Sequence, residues 1–403
     1  MGRIWPAVIY FYPMVKTGLQ SLLKNFPTKL KNKKVGLVCH AASIASDYTH
    51  CVDVFLKLPC VLSAIFGPQH GLFGQTQDNM VEWEGYLHPT LKIPVYSLYG
   101  KNRKPSKNML ENLDALVIDL QDVGARPYTY IWTVKLCMEA CMEICLPVWV
   151  LDRPNPIGAV GFDGPMLLPE YFSFVGGAPI PLCHRLTMGE MAVLLKYLYF
   201  QEINLNVVWM DDWKRNSLFS ETALPWVMPS PNMPTIDTAI VYPGMVLLEA
   251  TNLSEGRGTT RPFEITGAPF VKMGEILDTL NAMHLPGCVF HEHGFIPTFQ
   301  KWQGRFCAGF QVHVTEPRGY QPVLVTIALI HAIIKSSGGE FQFKQPPYEY
   351  EVIKMPFDIL AGSSDLRQVL ERKTSIAGLA AMWESDRAAF KTLFKEIAHY
   401  PEN

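Results

Sequence analysis

The chain of 403 residues carries 35 lysines and arginines against 37 aspartates and glutamates, a formal charge of −2. Its 48% hydrophobic and 18% charged content is too apolar for a disordered chain and gives no general attraction to nucleic acid or anionic membranes. At this length two or three domains are expected, together able to bury a full core without disulfide or metal staples.

The first 14 residues read as an extension. They hold one Arg and an apolar run broken by Pro6 and Pro13, with no small-residue cleavage site, so no signal peptide is expected. No apolar run reaches the ~18 residues of a membrane span. Thr17 is placed to cap a helix through Leu19, Leu22 and Leu23. Apolar strand runs then occur at 34–39, 61–66, 94–98, 115–119 and 147–152, with helical patterns at 52–57 and 129–145. Continuous apolar strands alternating with helices predict an α/β, Rossmann-like domain whose mostly parallel sheet is covered on both faces. A helix over 187–200 and a strand over 205–210 continue it, followed by an irregular stretch holding Pro225, Pro229, Pro231 and Pro234. Beyond a boundary placed near residue 245, a strand at 309–314 and a helix at 323–335 predict a smaller α+β domain over 246–403.

Ligands on parallel sheets gather beyond the carboxyl ends of the strands. Here those ends read Gly67-Pro-Gln-His-Gly71, Asp119-Leu-Gln-Asp-Val-Gly-Ala-Arg126 and Asp152-Arg-Pro-Asn-Pro-Ile-Gly158. Asp119 and Asp122 can act as acid, base or sugar-hydroxyl acceptor, or can form an Asp–Arg pair and a helix cap. Asp152 and Arg153 pose the same choice. Glu255, Arg257 and Arg261 form a further cluster in which Gly256 and Gly258 permit close backbone approach and Thr259 and Thr260 add hydroxyls. The first strand is followed by His40-Ala-Ala-Ser rather than a glycine-rich fingerprint, and the phosphate-loop pattern is absent, so a nucleotide cofactor is not expected. His291-Glu-His293 is expected to be an exposed polar strand or loop rather than a zinc site, which would need a third ligand. Cys137, Cys141 and Cys145 share one helical stripe and are expected to pack. Nine cysteines, an odd number without a dense framework, fit a reducing compartment.

Taken in order, GPQHG, IPVYSLYG, DLQDVGARPYTYIW, VLDRPNPIG, PSPNMPT, YPG and EATNLSEGRGTTRPFE resemble the exo-β-N-acetylmuramidase (NamZ-like) family, formerly a family of unknown function. The resemblance runs from Val15 onward. It implies a Rossmann-like domain, a smaller C-terminal domain and an active-site cleft between them. It also implies release of terminal non-reducing N-acetylmuramic acid from peptidoglycan fragments, without a cofactor or metal. One position departs: the family usually shows G-P-E-H-G, with the Glu favoured as catalytic, and here it is Gln69. An amide neither donates a proton as an acid nor serves as a base. The catalytic residues are therefore expected among Asp122 and Glu255, with His70 orienting the acid or binding the sugar, and Asp78, Glu82 and Asp119 in reserve. The expected substrate contacts are Gln69, Asp119, Arg126, Tyr128, Tyr130, Asp152, Arg153, Asn155, Asn232, Asn252, Arg257 and Thr259. Arg126, Arg153 and Arg257 are the candidates for the lactyl carboxylate of muramic acid, since guanidinium suits bidentate carboxylate recognition, and Trp132 is placed either as a stacking face or as core. A non-catalytic muropeptide binder, or a hydrolase of another amino sugar, is the alternative that Gln69 raises. With no export signal expected, a cytoplasmic role on imported fragments is anticipated, with the periplasm as the alternative.

Overall fold

The structure, a computed structural model, describes residues 14–77 and 81–403. Of the expectations above, the extension before Met14 and the reserve carboxylate Asp78 lie outside the described residues. The first domain is built on a seven-stranded sheet. Its strands are β1 (Lys34–Cys39), β2 (Val61–Gly67), β3 (Tyr86–Leu87), β4 (Pro94–Ser97), β5 (Ala115–Asp119) and β6 (Val148–Leu151), joined after a β-hairpin by β9 (Leu205–Val208). That hairpin is β7 (Asp163–Met166) with β8 (Pro181–Cys183). The spatial order is β3-β4-β2-β1-β5-β6-β9, parallel throughout except for the antiparallel edge strand β3. The strands form where unbroken apolar runs allow burial on both faces. Leu37, Val38, Val117 and Ile118 are all fully buried. Helices Gly18–Lys24, Tyr130–Glu143 and Met188–Tyr199 cover the sheet, the first and last opened by capping boxes at Thr17 and Thr187. Trp132 is core, its indole N–H donating to the Arg126 carbonyl at 2.9 Å.

The second sheet is antiparallel, in the order β10 (Ile265–Ala268), β12 (Cys307–Val314) and β11 (Cys288–Phe295), and is backed by helices Met273–Ala282 and Pro322–Ser336. A single hydrophobic core runs from Val38 and Ile118 through Tyr242 to Phe310 and Ile330, so the two sheets share one interior. The helix Ile236–Met245, which the proline-rich sequence around it concealed, carries the chain between them. Gly244 lets it pack directly on Pro322–Ser336: a Cβ there would stand 2.0 Å from the Pro322 carbonyl oxygen. His291 and Glu292 lie exposed on β11. Cys137 and Cys141 pack in the core, while Cys145 falls beyond the helix end and is exposed.

Candidate active site

The chain runs β1, β2, β4 to one side of the sheet and β5, β6, β9 to the other. The direction reverses between β1 and β5, and the crevice outside the carboxyl ends at such a point is where these sheets hold ligands. His40 follows β1, Gln69 and His70 follow β2, and Gln121 and Asp122 follow β5. His40 braces the crevice floor. Its Nδ1 donates to the Pro229 carbonyl at 3.1 Å and its Nε2 accepts from the Gln121 N–H at 2.9 Å, which fixes one neutral tautomer. Burial pushes its pKa down to about 3. Tyr130 donates to the same Pro229 carbonyl at 2.6 Å, so the proline-rich segment is held against the crevice.

There the structure forms a narrow cavity of about 40 Å³, smaller than the ~300–1,000 Å³ of small-molecule sites. Gln69, His70, Tyr128, Tyr130 and Asn232 face it from the first domain, and Arg257 from the second. Gln69 Oε1 accepts from the Thr129 hydroxyl at 2.7 Å. His70 sits at φ +71°, in the left-handed region that costs a side chain strain, and its Nδ1 donates to the Thr76 carbonyl at 2.6 Å. Asn232 donates to the Gln77 carbonyl at 2.8 Å.

Two cavity carboxyls escaped sequence reasoning, Glu249 and Glu349. Glu249 lies on the 3₁₀ turn Val246–Ala250 directly after the concealed helix. It accepts from Arg257 Nη2 at 2.6 Å and from the Tyr348 hydroxyl at 2.7 Å. Glu249 stood within the quoted EATNLSEGRG motif, the one available signal; nothing in Pro347-Tyr-Glu-Tyr350 marks Glu349. Arg257 also lies 3.4 Å from Glu255, and these two carboxylates outweigh its burial and keep it firmly charged. Its buried Nη1 has no hydrogen-bond partner among the described residues. Chemically, the cavity offers a fixed cation with a donor to spare, two amides, an imidazole and two carboxyls.

Most other expected contacts stand elsewhere, for local reasons. Arg126, foreseen as an anion holder, is fully buried, and its guanidinium donates to the carbonyls of Pro165, Ile180 and Leu360 at 3.0, 2.8 and 2.8 Å. Asp119 and Arg153 form a buried bidentate pair at 2.5 and 2.9 Å that ties the ends of β5 and β6 together. Asp152 accepts from the Thr187 hydroxyl, the Gly189 N–H and the Tyr400 hydroxyl at 3.0, 2.7 and 2.5 Å. Asn155 bridges Leu186 and Ile157, Asn252 bridges Glu340 and Gln342, and Thr259 donates to the Gly256 carbonyl.

Neither expected catalytic carboxyl lines the cavity. Asp122 accepts from the Gly124 N–H at 2.6 Å and lies 3.7 Å from His184 Nε2. Glu255 would be raised by burial, but Lys301 at 2.8 Å and Arg257 outweigh this and hold it below the usual carboxylate range, which unfits it as an acid. Gly256 shapes that loop: at φ +77° it passes so close to β10 that a Cβ would stand 2.5 Å from the Ile265 carbonyl oxygen. Among the described residues one cluster has metal-ligand geometry, Cys39, His50 and Cys51. His50 is already committed there, Nε2 donating to the His40 carbonyl and Nδ1 accepting from the Val52 N–H.

Residues 35–237 match the family model described as Exo-beta-N-acetylmuramidase NamZ, N-terminal, and residues 240–400 the one described as Exo-beta-N-acetylmuramidase NamZ, C-terminal. The chain is 42% identical over 389 residues to the peptidoglycan beta-N-acetylmuramidase NamZ of Bacillus subtilis (strain 168), covering 96% of this chain and 92% of that protein. Two crystal structures of DUF1343 family proteins from Bacteroides fragilis NCTC 9343 share the fold. One aligns with a TM-score of 0.85 at 30% identity, covering 96% of this chain and 99% of that chain. The other aligns with a TM-score of 0.76 at 27% identity, covering 97% and 100%.

Proposed function

The chain belongs to the exo-beta-N-acetylmuramidase NamZ family, and from that premise we propose that it is a glycosidase releasing terminal, non-reducing N-acetylmuramic acid from peptidoglycan fragments. The reading is carried by the match along both halves of the chain to a peptidoglycan beta-N-acetylmuramidase. The cavity at the sheet's switch point supports it, since the motif residues Gln69, His70, Asn232 and Arg257 meet there.

In this reading Arg257 holds the lactyl carboxylate of muramic acid through its unpartnered Nη1, in a low-dielectric site where a charge-assisted bond is strong. His70 contributes its ring to the polar wall of the cavity. Asn232 and the Gln69 amide complete the polar contacts, and Tyr128 and Tyr130 form an aromatic wall whose rings meet edge-on, centroids 4.9 Å apart. The odd count of nine cysteines without a dense framework is what supports a reducing compartment, and with it work on imported fragments. Recovery of the native protein from the periplasm or medium would count against that location.

The test is incubation with a muramic acid–glucosamine disaccharide and with a chromogenic β-muramide, following released N-acetylmuramic acid by mass spectrometry. Release from the non-reducing end is expected. Binding without turnover of either compound would overturn the hydrolase reading in favour of a muropeptide-binding protein.

A further inference from the structure

Buried carboxylates in this molecule are mostly matched to cations: Asp119 with Arg153, Glu190 with Arg215, Glu249 with Arg257, Glu255 with Lys301. Among the described residues Asp152, Asp163 and Glu349 are buried without an ion pair, and of these three Glu349 alone lines the cavity. It is only 3% exposed, it faces the cavity, and among the described residues it forms no ion pair. Its hydrogen-bond partner is the Tyr99 hydroxyl, at 3.3 Å from Oε2. Its backbone is also unusual. Tyr348 and Glu351 exchange both backbone hydrogen bonds, at 2.8 and 2.9 Å, which makes Glu349 and Tyr350 the two central residues of a tight turn. Their φ angles are +42° and +69°. A turn with two positive φ values favours Asn and Gly, so Glu and Tyr there store strain on the order of 1 kcal/mol or more each. Strain kept beside a cavity is a mark of a functional position.

We propose that Glu349 is the proton donor for glycosidic cleavage, supplying from the second domain the acid that Gln69 cannot be, with Glu249 as the ionised carboxylate beside it. This rests on the hydrolase reading above. Glu349 gives its proton to the glycosidic oxygen as the bond to C1 breaks. The bonding pair leaves on that oxygen, which becomes a hydroxyl of the released fragment. A water oxygen takes its place on C1, and the remaining water proton restores Glu349.

The surroundings agree with that duty. Burial, then the charge of Glu249, raises the Glu349 carboxyl to about 7, against the smaller opposing effects of the Tyr99 hydroxyl, Arg257 and Arg103. Tyr348 and Tyr350, its neighbours in the turn, are themselves pushed up by burial and stay neutral. Two nearby carboxyls, one ion-paired and one not, divide acid and carboxylate roles by environment alone.

The experiment compares wild type with Glu349→Gln on the muramic acid–glucosamine disaccharide and on a 4-nitrophenyl β-muramide, whose leaving group departs without protonation. A proton donor is worth about 10²–10⁴-fold. The variant is expected to lose kcat by at least ~100-fold on the disaccharide and by less than about tenfold on the nitrophenyl compound. Wild-type kcat/KM on the disaccharide is expected to fall as pH rises through about 7, and this limb is expected to vanish in the variant. Unchanged disaccharide cleavage, or an equal loss on both substrates, would overturn the role of Glu349 and leave the hydrolase reading standing. Wild type inert on both would sink that reading and Glu349 with it. If Glu349→Gln does not fold, the wild-type profile decides: activity flat from pH 6 to 9 would reject Glu349 as the acid.

Discussion

The Tyr99 hydroxyl donates to Glu349 and so favours its charged form. Removing it raises the carboxyl further. Tyr99→Phe is therefore expected to move the alkaline limb of kcat/KM to higher pH, a displacement in pH profiles that loss of packing alone would not produce. Stability follows the same carboxyl. Its folded value, about 7, lies above the ordinary 4.5, so the stability it contributes is fully present below about pH 4.5 and is lost as pH rises through 7. At pH 8 Glu349→Gln is expected to be more stable than wild type, by up to about 3 kcal/mol, in urea unfolding. Arg257→Lys keeps the charge that Glu249 and Glu255 need but loses the planar fork. Its KM for muramides is expected to rise roughly tenfold with kcat little changed. Equal KM values would remove Arg257 from carboxylate recognition.

At the scale of elements, the fold was legible where burial dictates sequence. The parallel strands read as unbroken apolar runs because both faces are covered, and helices Gly18–Lys24 and Met188–Tyr199 announced themselves through Thr17 and Thr187. The site was legible only in part. Arg126 and Arg257 look alike in sequence, yet one holds up three carbonyls and the other faces the cavity. What separates them is partners far along the chain, such as Leu360, which lies 234 residues from Arg126. The helix Ile236–Met245 was hidden because Pro243 sits within its final turn. The turn carrying Glu349 was hidden because it lacks the residues its backbone prefers. Comparing Glu349→Asn with Glu349→Gln isolates that preference. Both substitutions remove the acid and the charge, but only Asn tolerates positive φ well. The Asn variant is expected to be more stable by roughly 0.5–1 kcal/mol in thermal unfolding, with both equally slow on the disaccharide. Equal stabilities would show that the turn is not strained.

At the scale of the whole molecule, the cavity exists only while the second domain is held against the first, and residues 399–403 form one of the stitches that hold it. His399 stacks on Trp209 with ring centroids 4.0 Å apart, and its N–H donates to Glu190 at 2.8 Å. Glu190 in turn forms a fully buried pair with Arg215 at 2.5 Å. The Tyr400 hydroxyl donates to Asp152 at the end of β6 and accepts from the Met210 N–H at 2.8 Å. The carbonyls of Pro401 and Glu402 accept from the N–H groups of Arg215 and Asn216. Deleting 399–403 therefore removes partners from buried polar groups in the first domain while taking nothing from the cavity lining. Each such orphaned group costs about 1–3 kcal/mol. The shortened chain is expected to lose on the order of 5 kcal/mol, seen as a markedly lower thermal midpoint. Tyr400→Phe alone is expected to lose about 1–2 kcal/mol. Well below its new midpoint each variant should retain the wild-type KM for the muramide, because none of residues 399–403 lines the cavity. A shortened chain as stable as the full one would show that the shared core alone holds the two sheets together.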